Sequence, residues 1–306
     1  MRIESTNNPF VSLNMFLDTV VPCILCLTLA VLFVGVLYLA PTSISKLDRD
    51  DPKQIYWRFQ VLTVVAAICP FFVAFGFVLS PKSEPISVKT LYCSLGLLPD
   101  DFVRSLVIPT LVTLSLFLGP LMEKVFWNYR EGSAWRVAYG RGGLTEALVK
   151  PAQNALDKPT AVRAYLFAPI VEEWVFRSCM VSILLRFGFS TSRTVLLAPL
   201  YFGVAHLHHG YRMVHQDGVP LRRAILIVFV QFAYTSLFGA YATFVFCRTH
   251  NFYAIALQHS ICNYMGFPQP GWMNGAHPLN SKKTILGASY ILGIGLFYFG
   301  MSTLFE

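Results

Sequence analysis

Residues 19–40 read TVVPCILCLTLAVLFVGVLYLA, an apolar stretch without a single charged side chain. An α-helix needs about 20 such residues to cross the hydrocarbon core of a bilayer, so the segment predicts a transmembrane helix. Working outward from it, similar stretches recur at 59–80, 105–122, 194–205, 224–246, 252–267 and 285–305. One more, 164–185, is equally apolar except for Glu172, Glu173 and Arg177. The stretches beginning at Thr194 and Phe252 are short and are predicted to pack inside a bundle, with their histidine-bearing ends lining a cavity. The fold expected is all-α: a polytopic membrane bundle of about eight transmembrane helices, because only helices or closed barrels satisfy the backbone in lipid. Residues 1–306 are read as one membrane domain, without internal repeats or low-complexity segments.

Composition agrees. The 306 residues are 55% hydrophobic and only 13% charged, with a mean hydropathy of +0.55, whereas a soluble domain carries about 25% charged residues. The first stretch is too long and starts too far in for a cleaved signal, and is read as a signal anchor. Seven cysteines are scattered, mostly within apolar segments. Cys23 and Cys26 form a CxxC inside the first helix with no second pair, which fits packing rather than metal or redox chemistry.

The net charge of +8 is explained by topology rather than by nucleic acid, which is not an expected partner. Of the 24 Lys and Arg, 16 fall in loops after odd-numbered helices, including Lys46, Lys124, Arg136 and Lys150. Only 7 fall in the N-terminal tail and the even-numbered loops, and Arg177 lies within a helix. Cytoplasmic loops collect basic residues, so the odd loops should face the cytosol and both termini the lumen. The longest interruption, 123–158, contains LTEALVKPAQNAL at 144–156 with apolar residues at helical spacing. An interfacial helix and an ordinary connecting loop both fit it. The segment PQPGWMNGAHPLNSKK at 268–283 is too rich in Pro, Gly and Asn to be an α-helix.

Ionisable residues inside membrane helices are costly, and their default reading is functional. Glu173 and Arg177 are four apart and share a helix face, whereas Glu172 points about 100° away from Glu173. Glu173–Arg177 therefore reads as an internal ion pair supporting the site. Glu172 has no cation four residues on, and suits a general base; a purely structural pair of acids is the alternative. His206 stands one turn after Phe202 at the end of its helix, where it reads as functional, while His208 and His209 are expected to run into a loop. His259 and Asn263, four apart on an apolar helix, fit a site for a developing oxyanion. They fit helix–helix hydrogen bonding equally well. The charge bias puts all four residues, Glu172, His206, His259 and Asn263, within reach of one intramembrane cavity facing the cytosol.

These residues carry a family resemblance. EExxxR at 172–177, FxxxH at 202–206 and HxxxN at 259–263 resemble the three motifs of the type II CAAX prenyl protease family. The longer runs FGVAHLHH (202–209), QFAYTSLFGAY (231–241) and HSICNYMGFP (259–268) are similar to its eukaryotic branch, the Ras-converting CAAX endopeptidases. The resemblance is strong over 160–270, the expected catalytic core, and only architectural before it. It implies that Glu172 and His206 activate the attacking water, that His259 and Asn263 stabilise the oxyanion, and that Glu173 and Arg177 support them. It also implies prenylated CAAX proteins such as Ras-type small GTPases as substrates, an endoplasmic reticulum membrane location, and metal-independent hydrolysis with no cofactor.

Two rivals differ in kind. Glu172, His206 and His259 could form a two-His, one-carboxylate zinc site, although no histidine here is followed by Glu and HExxH is absent. Intramembrane Glu, Arg and His also suit a proton-coupled transporter or scaffold, which would cleave nothing.

Overall fold

The computed structural model describes residues 9–82, 87–127, 158–215, 218–268 and 270–305. The segment 144–156, with its expected interfacial helix, lies outside the described residues. Each apolar stretch singled out above is largely helical. In chain order these are α1 (Pro9–Gly35), α2 (Pro52–Leu79), the short α3 (Val88–Ser94), α4 (Phe102–Leu116) and α5 (Leu118–Trp127). Then come α6 (159–186), α7 (Thr191–Ala205), α8 (His208–His215), α9 (Leu221–Thr249), α10 (Phe252–Met265) and α11 (Lys283–Phe305). Between α10 and α11 the described residues include two short 3-10 turns, Pro270–Met273 and Asn280–Lys282.

The chain is an all-α membrane helix bundle, and a count of eight spans is not confirmed among the described residues. Among the described residues four helices are long and apolar enough to cross a membrane, or five if the bent pair α4 and α5 is one span. α7 and α10 are too short, as expected, and α6 carries the two acids and the arginine. Large side chains such as Phe71, Phe75, Phe229, Leu237, Ile291 and Phe299 are exposed along the long helices, which suits contact with lipid rather than water.

The stretch 105–122, expected as one helix, bends by 66° between α4 and α5. Pro120 explains the break. It has no N–H for the Leu116 carbonyl and its ring collides with that oxygen, yet a proline is tolerated in the first turn of a new helix. His208 and His209 also depart from expectation, because they open α8 instead of a loop. Tyr211 and His215 stack across one turn of it, with ring centroids 4.3 Å apart.

α6 is continuous yet irregular. Two of its segments, Arg163–Phe167 and Trp174–Cys179, are π-helical; such single-turn widenings are rare and recur at functional sites.

Contacts divide the chain into two compact units: residues 1–102 with 170–255, and residues 103–169 with 256–306. In the first, Phe176 on α6 meets Phe33 on α1 and Phe202 on α7 edge-on, at centroid distances of 5.3 and 5.1 Å. The buried Leu29, Val73, Ile183 and Phe246 extend the same core. Cys26 is buried here and its thiol points at the Met180 carbonyl, in line with a packing role for the CxxC. In the second unit, α11 lies close against the α4–α5 bend. A Cβ at Gly293 would stand 2.5 Å from the Ser115 carbonyl oxygen, so only glycine permits that approach. A cluster of Trp272, Leu279 and Leu286 closes its far side.

Candidate active site

The first motif is anchored from behind. Trp174, beside the two acids on α6, donates its indole N–H to the Ala66 carbonyl on α2 at 2.8 Å. That acceptor is available because Pro70 stands where an α-helix would direct an N–H at residue 66. Glu173 and Arg177 form the expected pair: Oε1 and Nη1 are 3.0 Å apart, with side chains 0% and 1% exposed. A pair so deeply buried demands tight packing around it. The guanidinium carbon lies 4.2 Å from the centre of the Phe202 ring on α7, a cation–π contact that a dry site strengthens. On its other side a Cβ at Gly239 of α9 would fall 2.8 Å from Nη2, so Gly239 leaves the room that the guanidinium occupies.

Phe202 joins the first motif to the second. Its ring carries Arg177, and its carbonyl oxygen lies 2.7 Å from His206 Nδ1. A carbonyl only accepts, so Nδ1–H is the donor and the neutral imidazole presents its lone pair at Nε2. The His206 backbone caps α7, donating to the Gly203 carbonyl at 3.0 Å, so backbone and ring are both tied to the end of α7. Glu172 is partly buried and within electrostatic reach of Arg177 and of Tyr234 on α9.

The third motif belongs to the second unit. His259 is buried and Asn263 exposed. Asn263 Nδ2 donates to the Ala164 carbonyl at 2.9 Å. The acceptor again traces to a proline. In the π turn of α6 the Ala168 N–H bonds back to Arg163, which leaves the Ala164 carbonyl to residue 169, a proline with no N–H. Tyr165 and Tyr264 meet edge-on beside this bond, at 5.7 Å. One amide proton of Asn263 is thus committed, and the second is left for other use.

Several residues escaped sequence reasoning. Trp174 and Gly239 matter through partners distant in sequence. Gln258, next to His259, is fully buried with neither amide atom hydrogen-bonded among the described residues; a polar residue inside an apolar helix was the available signal. His250 lies just beyond α9 with a left-handed backbone, φ 44°. Burial pushes its imidazole below the ordinary histidine range, and the nearby Asp100 partly opposes that. Among the described residues no group of three or more His, Cys, Asp and Glu is gathered closely enough to hold a metal ion.

Comparison with known proteins agrees with the motifs. The family profile described as type II CAAX prenyl endopeptidase Rce1-like matches residues 155–265, which takes in all three motifs. A Homo sapiens protein named CAAX prenyl protease 2 is 34% identical over 273 residues, covering 89% of this chain and 77% of its own. Its namesake from Arabidopsis thaliana is 33% identical over 252 residues, covering 79% and 78%. The Saccharomyces cerevisiae protein of that name is 26% identical over 277 residues, covering 83% and 84%. No solved structure matches significantly. With likeness at that level across most of its length, the chain belongs to the type II CAAX prenyl endopeptidase family.

Proposed function

We propose that this protein is an intramembrane endopeptidase that removes the C-terminal aaX tripeptide from farnesylated or geranylgeranylated CAAX proteins, Ras-type small GTPases among them. The observation that carries the proposal is the chain of contacts Glu173–Arg177–Phe202–His206. It fastens EExxxR to FxxxH, with Glu172 alongside and the imidazole held in one tautomer.

The chemistry follows from the groups. Water hydrogen-bonds to His206 Nε2 and gives a proton to Glu172, and the nascent hydroxide attacks the carbonyl carbon of the prenylated cysteine. His259 and the second amide proton of Asn263 donate to the oxyanion of the tetrahedral intermediate. Collapse breaks the C–N bond, and the proton held by Glu172 passes to the departing amine. Glu173 and Arg177 keep α6 in place and do not touch the substrate. No metal or cofactor is called for.

The whole chain serves as one membrane domain, with 160–270 as its catalytic core. The basic loops favour a cavity open to the cytosol in the endoplasmic reticulum membrane, so that the prenyl chain stays in lipid while the peptide enters from water. The direct test incubates purified protein with a farnesylated CAAX peptide and identifies the product by mass. Release of the intact aaX tripeptide is expected. An unchanged peptide would overturn the proposal in favour of a transporter or scaffold, and cleavage at another bond would overturn the stated specificity.

A further inference from the structure

The second unit contains a cavity of about 270 Å³ that the proposed chemistry leaves unused. Its walls include Glu123, Lys124 and Trp127 from α5, Met265 and Phe267 from the end of α10, and Tyr290 from α11. Lys124 is half-buried, and no acid among the described residues forms an ion pair with it. The ammonium lies 4.3 Å from the centre of the Tyr264 ring and 3.8 Å from Met265 Sδ, a π face and a thioether. Glu123, the acid in the same cavity, instead accepts from the Tyr290 hydroxyl at 3.4 Å. A cation cradled by aromatic and sulfur groups remains open to an anion from outside.

Position narrows the choice of anion. Tyr264 and Met265, which hold the ammonium, directly follow Asn263 in the chain. If the scissile carbonyl sits at Asn263, an extended tripeptide carries its C-terminus about 10 Å further on. The leaving aaX segment ends in a free α-carboxylate and an apolar or small side chain. The cavity offers one cation and walls of Trp127, Met265 and Phe267, and its volume suits one residue. We infer that Lys124 binds the C-terminal carboxylate of the substrate, with the last side chain in this cavity. The site thereby counts three residues back from the chain end to the bond it cuts. The inference rests on the endopeptidase function proposed above.

The test compares kcat/KM for two farnesylated peptides of identical sequence, one ending in a free carboxylate and one in a carboxamide. The enzymes are the full-length wild type, Lys124→Met and Lys124→Arg. The ratio between the two peptides is internal to each enzyme and is unaffected by the fraction folded. Wild type should prefer the acid at least about 10-fold, since loss of a charge-assisted contact costs that much. Lys124→Met should bring the ratio near one, and Lys124→Arg should retain a preference. A wild type indifferent to the carboxamide, or a Lys124→Met enzyme with the wild-type ratio, overturns the assignment while leaving the endopeptidase intact. A wild type that cleaves neither peptide overturns both.

Discussion

Asn263 donates its side-chain amide to the Ala164 carbonyl at 2.9 Å, an acceptor left open because residue 169 is a proline. The polar group on α10 is therefore held by a fault built into α6. Pro169→Ala supplies an N–H that competes for the same oxygen, so the Asn263 carboxamide should swing more freely. The expected result is a fall in kcat of about 10-fold with KM little changed, well short of the roughly 100- to 1000-fold loss for removing an oxyanion donor in Asn263→Ala. Initial-rate kinetics on a farnesylated peptide separate the two, and a Pro169→Ala enzyme of wild-type kcat would contradict the positioning role.

Trp174 and Pro70 offer a matching experiment on stability. Trp174→Phe keeps an aromatic ring but strips the donor from the Ala66 carbonyl, and a buried acceptor left unpaired costs about 1–3 kcal/mol. Pro70→Ala restores a helical N–H to that oxygen. Thermal unfolding in detergent should show Trp174→Phe destabilised and the double substitution partly rescued. Additive losses would mean that the two residues do not share the carbonyl.

Glu172→Ala and His206→Ala are each expected to abolish cleavage with little change in protein yield. Glu173→Ala should lower yield and activity together, because it strands the buried Arg177 guanidinium. Near-normal turnover by Glu172→Ala would remove it as the base. Purified wild type should also keep its rate after chelator treatment; zinc at one ion per chain, with activity lost on its removal and regained on its return, would require a different mechanism.

His250 sets a pH dependence. Its folded-state affinity for a proton is lowered by burial, so above the unfolded value of about 6.5 both states are neutral and nothing is lost. As pH falls below that value the unfolded chain gains a proton that the folded one resists, and stability declines. His250→Asn tolerates the left-handed backbone and removes the titration. Between pH 7.5 and 5 its Tm should fall less than that of the wild type.

Local relationships were legible in the sequence. Glu173 with Arg177 needed only helical spacing, the place of His206 at the end of α7 needed only the apolar stretch to stop, and the membrane bundle was plain from hydropathy. What escaped shares one physical origin. A sequence read with 3.6 residues per turn cannot register a π turn, and hydropathy averaged over a window passes over the uncharged Pro120, which bends the chain. The acceptors at Ala66 and Ala164 are absences of hydrogen bonds, created by prolines and used by side chains about 100 residues away. The count of about eight crossings is not confirmed among the described residues, where α7 and α10 are helical but short, as their sequences predicted.

The π turn at Trp174–Cys179 has a consequence for how this helix can change length. A π turn stores one residue more than the α-helix it interrupts, so the chain carries slack directly behind its two acids. Deleting a single residue there can be absorbed by tightening to a regular helix, with everything beyond Met180 unmoved. The same deletion in a regular turn would instead rotate Glu172 by about 100° about the helix axis relative to Met180. These few residues hold spare length, so the bearing of the carboxylate survives the loss of one of them.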